Sequence, residues 1–384
     1  MTRTVFAGGF LFDGLGAALA EADVAVEEGR IVEVGRGVDG DEAVDVKGKA
    51  LLPGLFDCHT HVMVSHIDLW RLIQAPFSYR FYEAAQNLAA TLRIGITSIR
   101  DAGGADLGVK LAVERGLIPG PRMQVSIGMI SQTGGHGDGW MPSGSILHLF
   151  PLHPGRPETI VDGPDEMRRK VRELVRFGAD VIKVATSGGV LSPRDKPTHA
   201  HFSLEELEVL VAEARAAGIW AMAHAQATQG IKNAVRAGIR SIEHGIYLDD
   251  EAIELMVEQR TFLVPTLVAP TGVLRAAEEG ASISEAALEK AAEVVEVHQQ
   301  SFRRAVEAGV RVAMGTDSGV TPHGENLREL ELMVEGGMTP PQALAATTSS
   351  AAELMGLNAE LGTIEVGKRA DLVVVEGDPF DFKT

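Results

Sequence analysis

A chain of 384 residues has room for a barrel of about 250 residues and a smaller accompanying unit. Hydrophobic residues make up 45%, which excludes a disordered chain, and aromatic residues only 5%, which points to an aliphatic core. A formal charge of −18 argues against nucleic acid and membrane as partners, and a single cysteine, Cys58, excludes an intrachain disulfide.

The opening MTRTVFAGGF has no apolar segment followed by a cleavage site, so it does not read as a signal peptide. No apolar run approaches a membrane span, and a cytoplasmic location is expected. Residues 1–50 carry short apolar bursts, such as Val5-Phe6, Phe10-Leu11-Phe12 and Val24-Ala25-Val26, separated by turn signals such as Asp13-Gly14. These predict hairpin strands. Apolar runs then alternate with amphipathic stretches, and strands are expected at 51–57, 96–100, 122–129, 181–185, 219–223, 241–243, 262–265 and 310–314. Helices are expected at 165–177, 204–217 and 230–237, with Asp165, Ser203 and Asp249 as N-caps and Gly178, Gly218 and Gly238 as stops.

Eight such units predict the α/β class and a (β/α)8 TIM barrel, with the active site beyond the C-terminal strand ends. A doubly wound open sheet competes, but its Gly-rich phosphate turn is missing. Two long loops, 131–164 and 187–202, are expected to be functional. The run at 371–375 returns to strand character. Residues 1–50 plus 358–384 are therefore expected to form a small discontinuous β-sandwich-like domain, cut short at its C-terminal end. The barrel takes 51–357.

The strongest chemical signal is Asp57-Cys58-His59-Thr60-His61. Side chains alternate faces along a strand, so His59 and His61 point the same way and can hold one divalent cation. Cys58 faces the other way, into the core, and Asp57 shares the histidine face as a supporting group. Lys183 lies inside the apolar run Val181–Ala185, where an ammonium needs a partner, a modification or a route to the strand end. His224, His244 and Asp317 follow other predicted strands. Each alone reads as structural. Together they place metal-ligand residue types on five strand ends.

The segment Pro53-Gly54-Leu55-Phe56-Asp57-Cys58-His59-Thr60-His61 resembles the amidohydrolase superfamily, as do Lys183, His224, Ile242-Glu243-His244-Gly245 and Gly315-Thr316-Asp317-Ser318. Gly367-Lys368-Arg369-Ala370-Asp371-Leu372-Val373 is similar to that family's C-terminal return to the β-domain, so the resemblance covers nearly the whole chain. It implies a binuclear centre, usually of zinc: His59 and His61 on one ion, His224 and His244 on the other. Lys183 would be carboxylated and bridge both, and Asp317 would bind the first. It further implies attack by a hydroxide held between the metals, with Asp317 as general base and then acid toward the leaving amine.

A closer resemblance is to prolidase-like dipeptidases, which release the C-terminal residue of dipeptides and N-acyl amino acids. It rests on Gln132-Thr133-Gly134-Gly135-His136-Gly137-Asp138 and Thr186-Ser187-Gly188-Gly189-Val190-Leu191-Ser192. It makes His136 a candidate for polarising the substrate carbonyl or contacting its carboxylate; hydrogen bonding within its loop is the alternative. Many relatives have a tyrosine two residues past the fifth-strand histidine, where this chain has Gln226. Tyr247 is a candidate substitute or a rim residue, and Arg194 is the candidate carboxylate clamp or a solvated side chain. Ala227 stands where deaminases of the superfamily carry a catalytic Glu, which argues against deamination.

Hydrolysis of N-aryl amides, ureas or carbamates is the alternative, followed by lactones or phosphotriesters. A non-enzymatic scaffold would have lost the ligands that this chain retains. The expected partner is a small-molecule substrate, and related enzymes suggest a homo-oligomer. The remaining histidines, His66, His148, His153, His199, His201, His298 and His323, are expected on the surface or in loops.

Overall fold

The first expected barrel strand, 51–57, is two strands in the computed structural model, which describes residues 2–192 and 194–382. The last two residues of the expected β-domain, Lys383 and Thr384, lie outside the described residues, as do Met1 and Pro193. Lys49–Pro53 pairs antiparallel with Leu372–Glu376 and parallel with Phe10–Leu11, whereas Leu55–Thr60 pairs with Ile96–Asp101. Gly54 is the joint. A Cβ there would stand 2.1 Å from Thr97 Oγ1, so only glycine lets the chain pass so close to the next strand. A continuous apolar run conceals such a change of sheet, because both halves are buried.

Strands near the two ends of the chain thus share one four-stranded sheet. A second sheet orders Arg30–Gly35, Asp23–Glu27, Thr4–Ala7 and Glu42–Asp45. Leu11, Val24, Ile31, Leu51 and Ile364 form their common apolar cluster.

The remaining strands are parallel and run in sequence order. Leu55–Thr60, Ile96–Asp101 and Arg122–Val125 form one sheet. Met129–Ile130, Val181–Ala185, Trp220–Ala225, Ser241–His244, Phe262–Val264 and Arg311–Val312 form the other. The third expected strand, 122–129, is therefore broken. Its first part pairs with Ile96–Asp101 and its last with Val181–Ala185, and between them Ile127 takes φ 67°. A β-branched residue at positive φ leaves strand geometry altogether. Cys58 N donates to Met314 O (2.9 Å) and His61 N to Ser318 O (2.8 Å), linking the last strand segment to the first. The architecture is α/β of the (β/α)8 type.

Helix ends follow side-chain chemistry. Ser203 and Glu206 make a capping box ahead of Leu204–Ala216, and Asp249 caps Asp250–Glu258. Gly238 ends Thr228–Ala237 in the left-handed conformation. Asp165 is not an N-cap. Gly163 holds that position and Pro164 the first helical one, where a missing N–H costs nothing, so Asp165 falls within the first turn.

Both long loops are ordered by isolated pairings rather than by helices. Ser131 pairs with Ile160 and Trp140 with Ile146 in the first, and Ser187 with Ala200 in the second. Lys290, on the helix Glu285–Glu307, donates to the carbonyls of Gly189 (2.8 Å), Ser192 (2.6 Å) and Asp195 (3.3 Å), pinning the second loop. Among the described residues, no helix is long and apolar enough to cross a membrane.

Candidate metal centre

Alternation along Leu55–Thr60 sends Cys58 to a cluster with Phe56, Phe262 and Val264, where burial raises its thiol pKa. His59 takes the opposite face, and its Nδ1 lies 2.7 Å from Glu243 Oε2. His61 Nδ1 meets Gly103 O at 2.8 Å, His244 Nδ1 meets Thr266 Oγ1 at 2.7 Å, and His224 Nε2 meets Gly188 O at 3.1 Å. Each imidazole therefore commits one nitrogen to the protein and leaves the other for a ligand. Such outer partners orient metal-ligating histidines.

The free atoms converge. Asp317 Oδ1 lies 3.4 Å from His59 Nε2 and 3.1 Å from His61 Nε2, and Lys183 Nζ lies 3.4 Å from His59 Nε2. Ring centres of His59 and His244 are 5.1 Å apart, and those of His224 and His244 4.6 Å. One donor atom from each of His59, His244 and Asp317 falls within 4.8 Å of the other two. The six side chains expected at the strand ends meet in one place.

Electrostatics suit cation binding. Burial holds His59, His224 and His244 well below the usual histidine range, reinforced by Lys183 for His59, by His136 for His224 and by His59 for His244. Neutral imidazole is the form that ligates metal. Burial pushes Lys183 down to about 8. Burial opposes charge on Asp317 too, but His59, His61 and Lys183 outweigh it and keep the carboxyl below its ordinary value. His61 differs: burial opposes its charge, but the hydrogen bond and charge of Asp317 outweigh that and raise its pKa, so a bound cation would have to displace a proton there. The imidazoles and the carboxylate together are a donor set that fits a divalent cation.

Strain marks the same place. His244 has φ 73°, Asp317 60° and Thr266 54°, conformations that cost non-glycine residues about 1–3 kcal/mol each. Asp57 holds the turn that carries Asp317. It accepts from the His59 N–H (3.0 Å), the Thr316 N–H (3.2 Å) and hydroxyl (2.6 Å), and Asn326 Nδ2 (2.8 Å). Gly315 lets that turn close on His59, because a Cβ there would stand 2.9 Å from His59 Cβ and 2.4 Å from Val264 Cγ1.

Sequence reasoning missed Glu243 and Arg100. Both are fully buried; Arg100 donates to Glu243 Oε1 (2.9 Å) and to Cys58 O (2.7 Å). Strand alternation alone would put Glu243 and His244 on opposite faces, but His244, the last residue of Ser241–His244, turns at φ 73°, so both serve the site. Like Lys183, Glu243 and Arg100 are charges inside apolar strands, which need a partner, and that marks them in the sequence.

A cavity of about 620 Å³ opens above these side chains, a size suited to a small-molecule site. Its walls are largely apolar and include Ile67, Met141, Ile146, Leu149, Phe150 and Val273. His136 stacks on His224 with centroids 4.1 Å apart, and its Nδ1 meets Ser192 Oγ at 2.9 Å. Gln226 is buried in the lining, and its Oε1 has no protein partner.

Tyr247 is placed elsewhere: outside the lining, it packs against a cluster of Ile67, Val190 and Ile246, and its N–H donates to Gln226 O (3.0 Å). Arg194 is a surface side chain over the Trp140 ring. His298 is neither surface nor loop. Buried on Glu285–Glu307, it meets His244 O through Nε2 (2.9 Å), and burial pushes its pKa down to about 4. His323 is likewise anchored, through Nε2 to Val64 O at 3.0 Å. His201 is also buried, its backbone N–H bonded to Thr186 O (2.8 Å).

Parallel strands whose C-terminal ends carry convergent imidazoles, a lysine and a carboxylate under a deep cavity define a barrel enzyme. The chain belongs to the amidohydrolase family, whose model matches residues 50–384, and it is a hydrolase acting on amide bonds. Ochratoxinase of Aspergillus niger is 34% identical to it over 98% of this chain and 82% of its own length. A solved Xaa-Pro dipeptidase with bound methionine in the active site has a TM-score of 0.90 and 33% identity, covering 99% of this chain and 95% of its own. A prolidase complexed with N-methylphosphonate-L-proline has a TM-score of 0.89 and 37% identity, covering 99% and 94%.

Proposed function

We propose that this chain is a binuclear zinc amidohydrolase that cleaves the amide bond of dipeptides or N-acyl amino acids. The observation that carries the reading is Lys183, a buried amine 3.4 Å from His59 Nε2 whose charge also acts on His224 and His244. With its pKa near 8, part of the amine is neutral at neutral pH and can add to carbon dioxide. A nitrogen–carbon bond forms, the nitrogen loses a proton, and the resulting carbamate is an anion suited to bridging two cations. His59 and His61 would hold one cation with Asp317, and His224 and His244 the other. When bound, the pair would activate water and polarise the substrate carbonyl.

The protein supplies the remaining parts. Asp317 Oδ1 faces the His59 and His61 nitrogens, and it would take a proton from the attacking water and return it to the leaving nitrogen. His136, with Nδ1 anchored on Ser192, would meet the substrate carbonyl or carboxylate. Gln226, in the cavity lining, would contact the substrate. The dipeptidase and prolidase neighbours support the dipeptide class.

A second reading, hydrolysis of N-aryl amides, ureas or carbamates, is favoured by the breadth of the apolar wall. A closed barrel over 51–357 with a satellite domain from both chain ends is part of the proposal, supported by the Cys58–Met314 bond and the shared terminal sheet. So are a cytoplasmic location, supported by the single buried cysteine, and a homo-oligomer, supported by the exposed Trp70 and Tyr82.

The test is to count metal in the purified protein and assay the zinc-loaded form against dipeptide and N-acyl amino acid libraries, with aryl amides alongside. Two ions per chain and release of free amino acid support the proposal. Turnover of aryl amides alone shifts it to the second reading. Absence of both metal and turnover refutes it.

A further inference from the structure

Two guanidinium groups lie buried in the cavity lining, away from the metal ligands. Arg80 comes from the helix Tyr79–Arg93 and Arg156 from the first long loop, and each is 5% exposed. Arg80 donates to Leu149 O (2.6 Å) and Leu72 O (2.9 Å), and Arg156 donates to Pro151 O. Those acceptors are neutral carbonyls. Among the described residues, neither arginine has a carboxylate partner, and Arg156 Nε is buried with no hydrogen-bond partner at all.

Glu83 acts on Arg80, and Glu158, Asp101 and Asp106 act on Arg156, but none of these carboxylates lies within ion-pair distance, and a buried guanidinium without a bonded counter-ion is costly. Burial pushes Arg156 down to about 9, with the Arg80 charge as the next cause. Phe150 joins this place to the metal centre: its ring stacks on His61 at 5.5 Å and lies 5.3 Å from the Arg156 guanidinium carbon. A ligand following the Phe150 wall would have its reactive end at the imidazoles and its far end at the arginines.

We propose that Arg80 and Arg156 form an anion subsite that receives a carboxylate at the end of an apolar ligand. The terminal guanidinium N–H groups not spent on the loop carbonyls are the donors, in the forked geometry that suits a carboxylate. The subsite deepens the amide-hydrolase reading, because it assigns the substrate's anionic end. Arg194, the residue the sequence pointed to, is not part of it.

The test compares two non-hydrolysed probes by calorimetry on the metal-loaded protein, 4-phenylbutanoate and the neutral, nearly isosteric 4-phenylbutanamide. The acid should bind about tenfold tighter or better, as a charge-assisted pair predicts. Arg156→Met and Arg80→Met should each bring that ratio close to one while leaving amide affinity within about twofold of wild type. A ratio of one in the wild type overturns the proposal, as does an unchanged ratio in both variants, because the acid would then be held by the metals. If neither variant folds, the wild type treated with EDTA decides: a retained preference supports the subsite and a lost one overturns it. Amide hydrolysis is assayed separately. Hydrolysis without carboxylate preference sinks the subsite alone, and preference without hydrolysis sinks the function alone.

Discussion

The floor and the wall of the cavity are built on different terms. On the floor, His59 bonds to Glu243, which is held by Arg100, and Asp57 anchors both the His59 backbone and the turn before Asp317. These groups are buried and bonded to several partners at once. On the wall, Gln226 Oε1 and Arg156 Nε have no protein partner, and apolar side chains such as Ile146 (58% exposed) and Leu152 (46%) stand open. A bonded floor holds reactive groups where they must act, and a loosely bonded wall is free to select what enters. Changes to the floor should therefore alter the rate constant or the stability. Changes to the wall should alter only affinity.

The largest effect belongs to Asp317→Asn. Asparagine tolerates φ 60° and matches the carboxylate in shape, so the fold should survive, as circular dichroism can check. The proton acceptor is lost, and kcat should fall by about a thousandfold or more. A variant turning over at the wild-type rate would remove Asp317 from the chemistry and erase the contrast between floor and wall.

A mid-sized effect is expected under the floor. Glu329 accepts from the N–H groups of Leu267 (2.7 Å) and Val268 (2.9 Å), fixing the turn from which Thr266 reaches His244. Burial pushes its pKa from the ordinary 4.5 up to about 8. The folded state thus keeps this proton where the unfolded chain has released it. The contribution of this group to stability is full below pH 4.5 and is lost as pH rises toward 8. Glutamine cannot titrate, so Glu329→Gln should gain on the wild type between pH 6 and 8, by about 2 °C in Tm. Parallel Tm curves for the two proteins across that interval would show that Glu329 does not carry the proton.

Floor and wall also differed in how far the sequence revealed them. His59, His61, Lys183, His224, His244 and Asp317 could be read because each follows or interrupts an apolar strand, where polar residues are costly and therefore conspicuous. The expected strand 181–185 matches Val181–Ala185, because a buried parallel strand is a plain apolar run. The same plainness hid the sheet change at Gly54 and the break at Ile127, which depend on close approach and backbone angle rather than on polarity. The wall could be read only in part: Gln226 and the first long loop stood out, but not which of the loop's residues face the cavity. Residues 131–163 follow no periodicity, so Arg156 looked like any loop arginine and Phe150 like any apolar one. His298 sat in a helix whose buried face is decided by tertiary packing.

The smallest effect should come from the wall itself, with Ile146→Ser. More than half of this side chain is open to solvent, so the fold has little invested in it and stability should change by no more than about 0.5 kcal/mol. A substrate that fills the cavity would cover the remaining apolar surface. At about 25 cal/mol per Å² that surface is worth on the order of 1 kcal/mol. KM for a bulky N-acyl amino acid should then rise about fivefold while kcat holds, because contacts made equally before and during reaction leave kcat alone. A small dipeptide that never reaches Ile146 should show no change in either constant. The opposite pattern, kcat reduced with KM intact for both substrates, would mean that the loop carrying Ile146 helps position the reacting groups. The wall would then belong functionally to the floor.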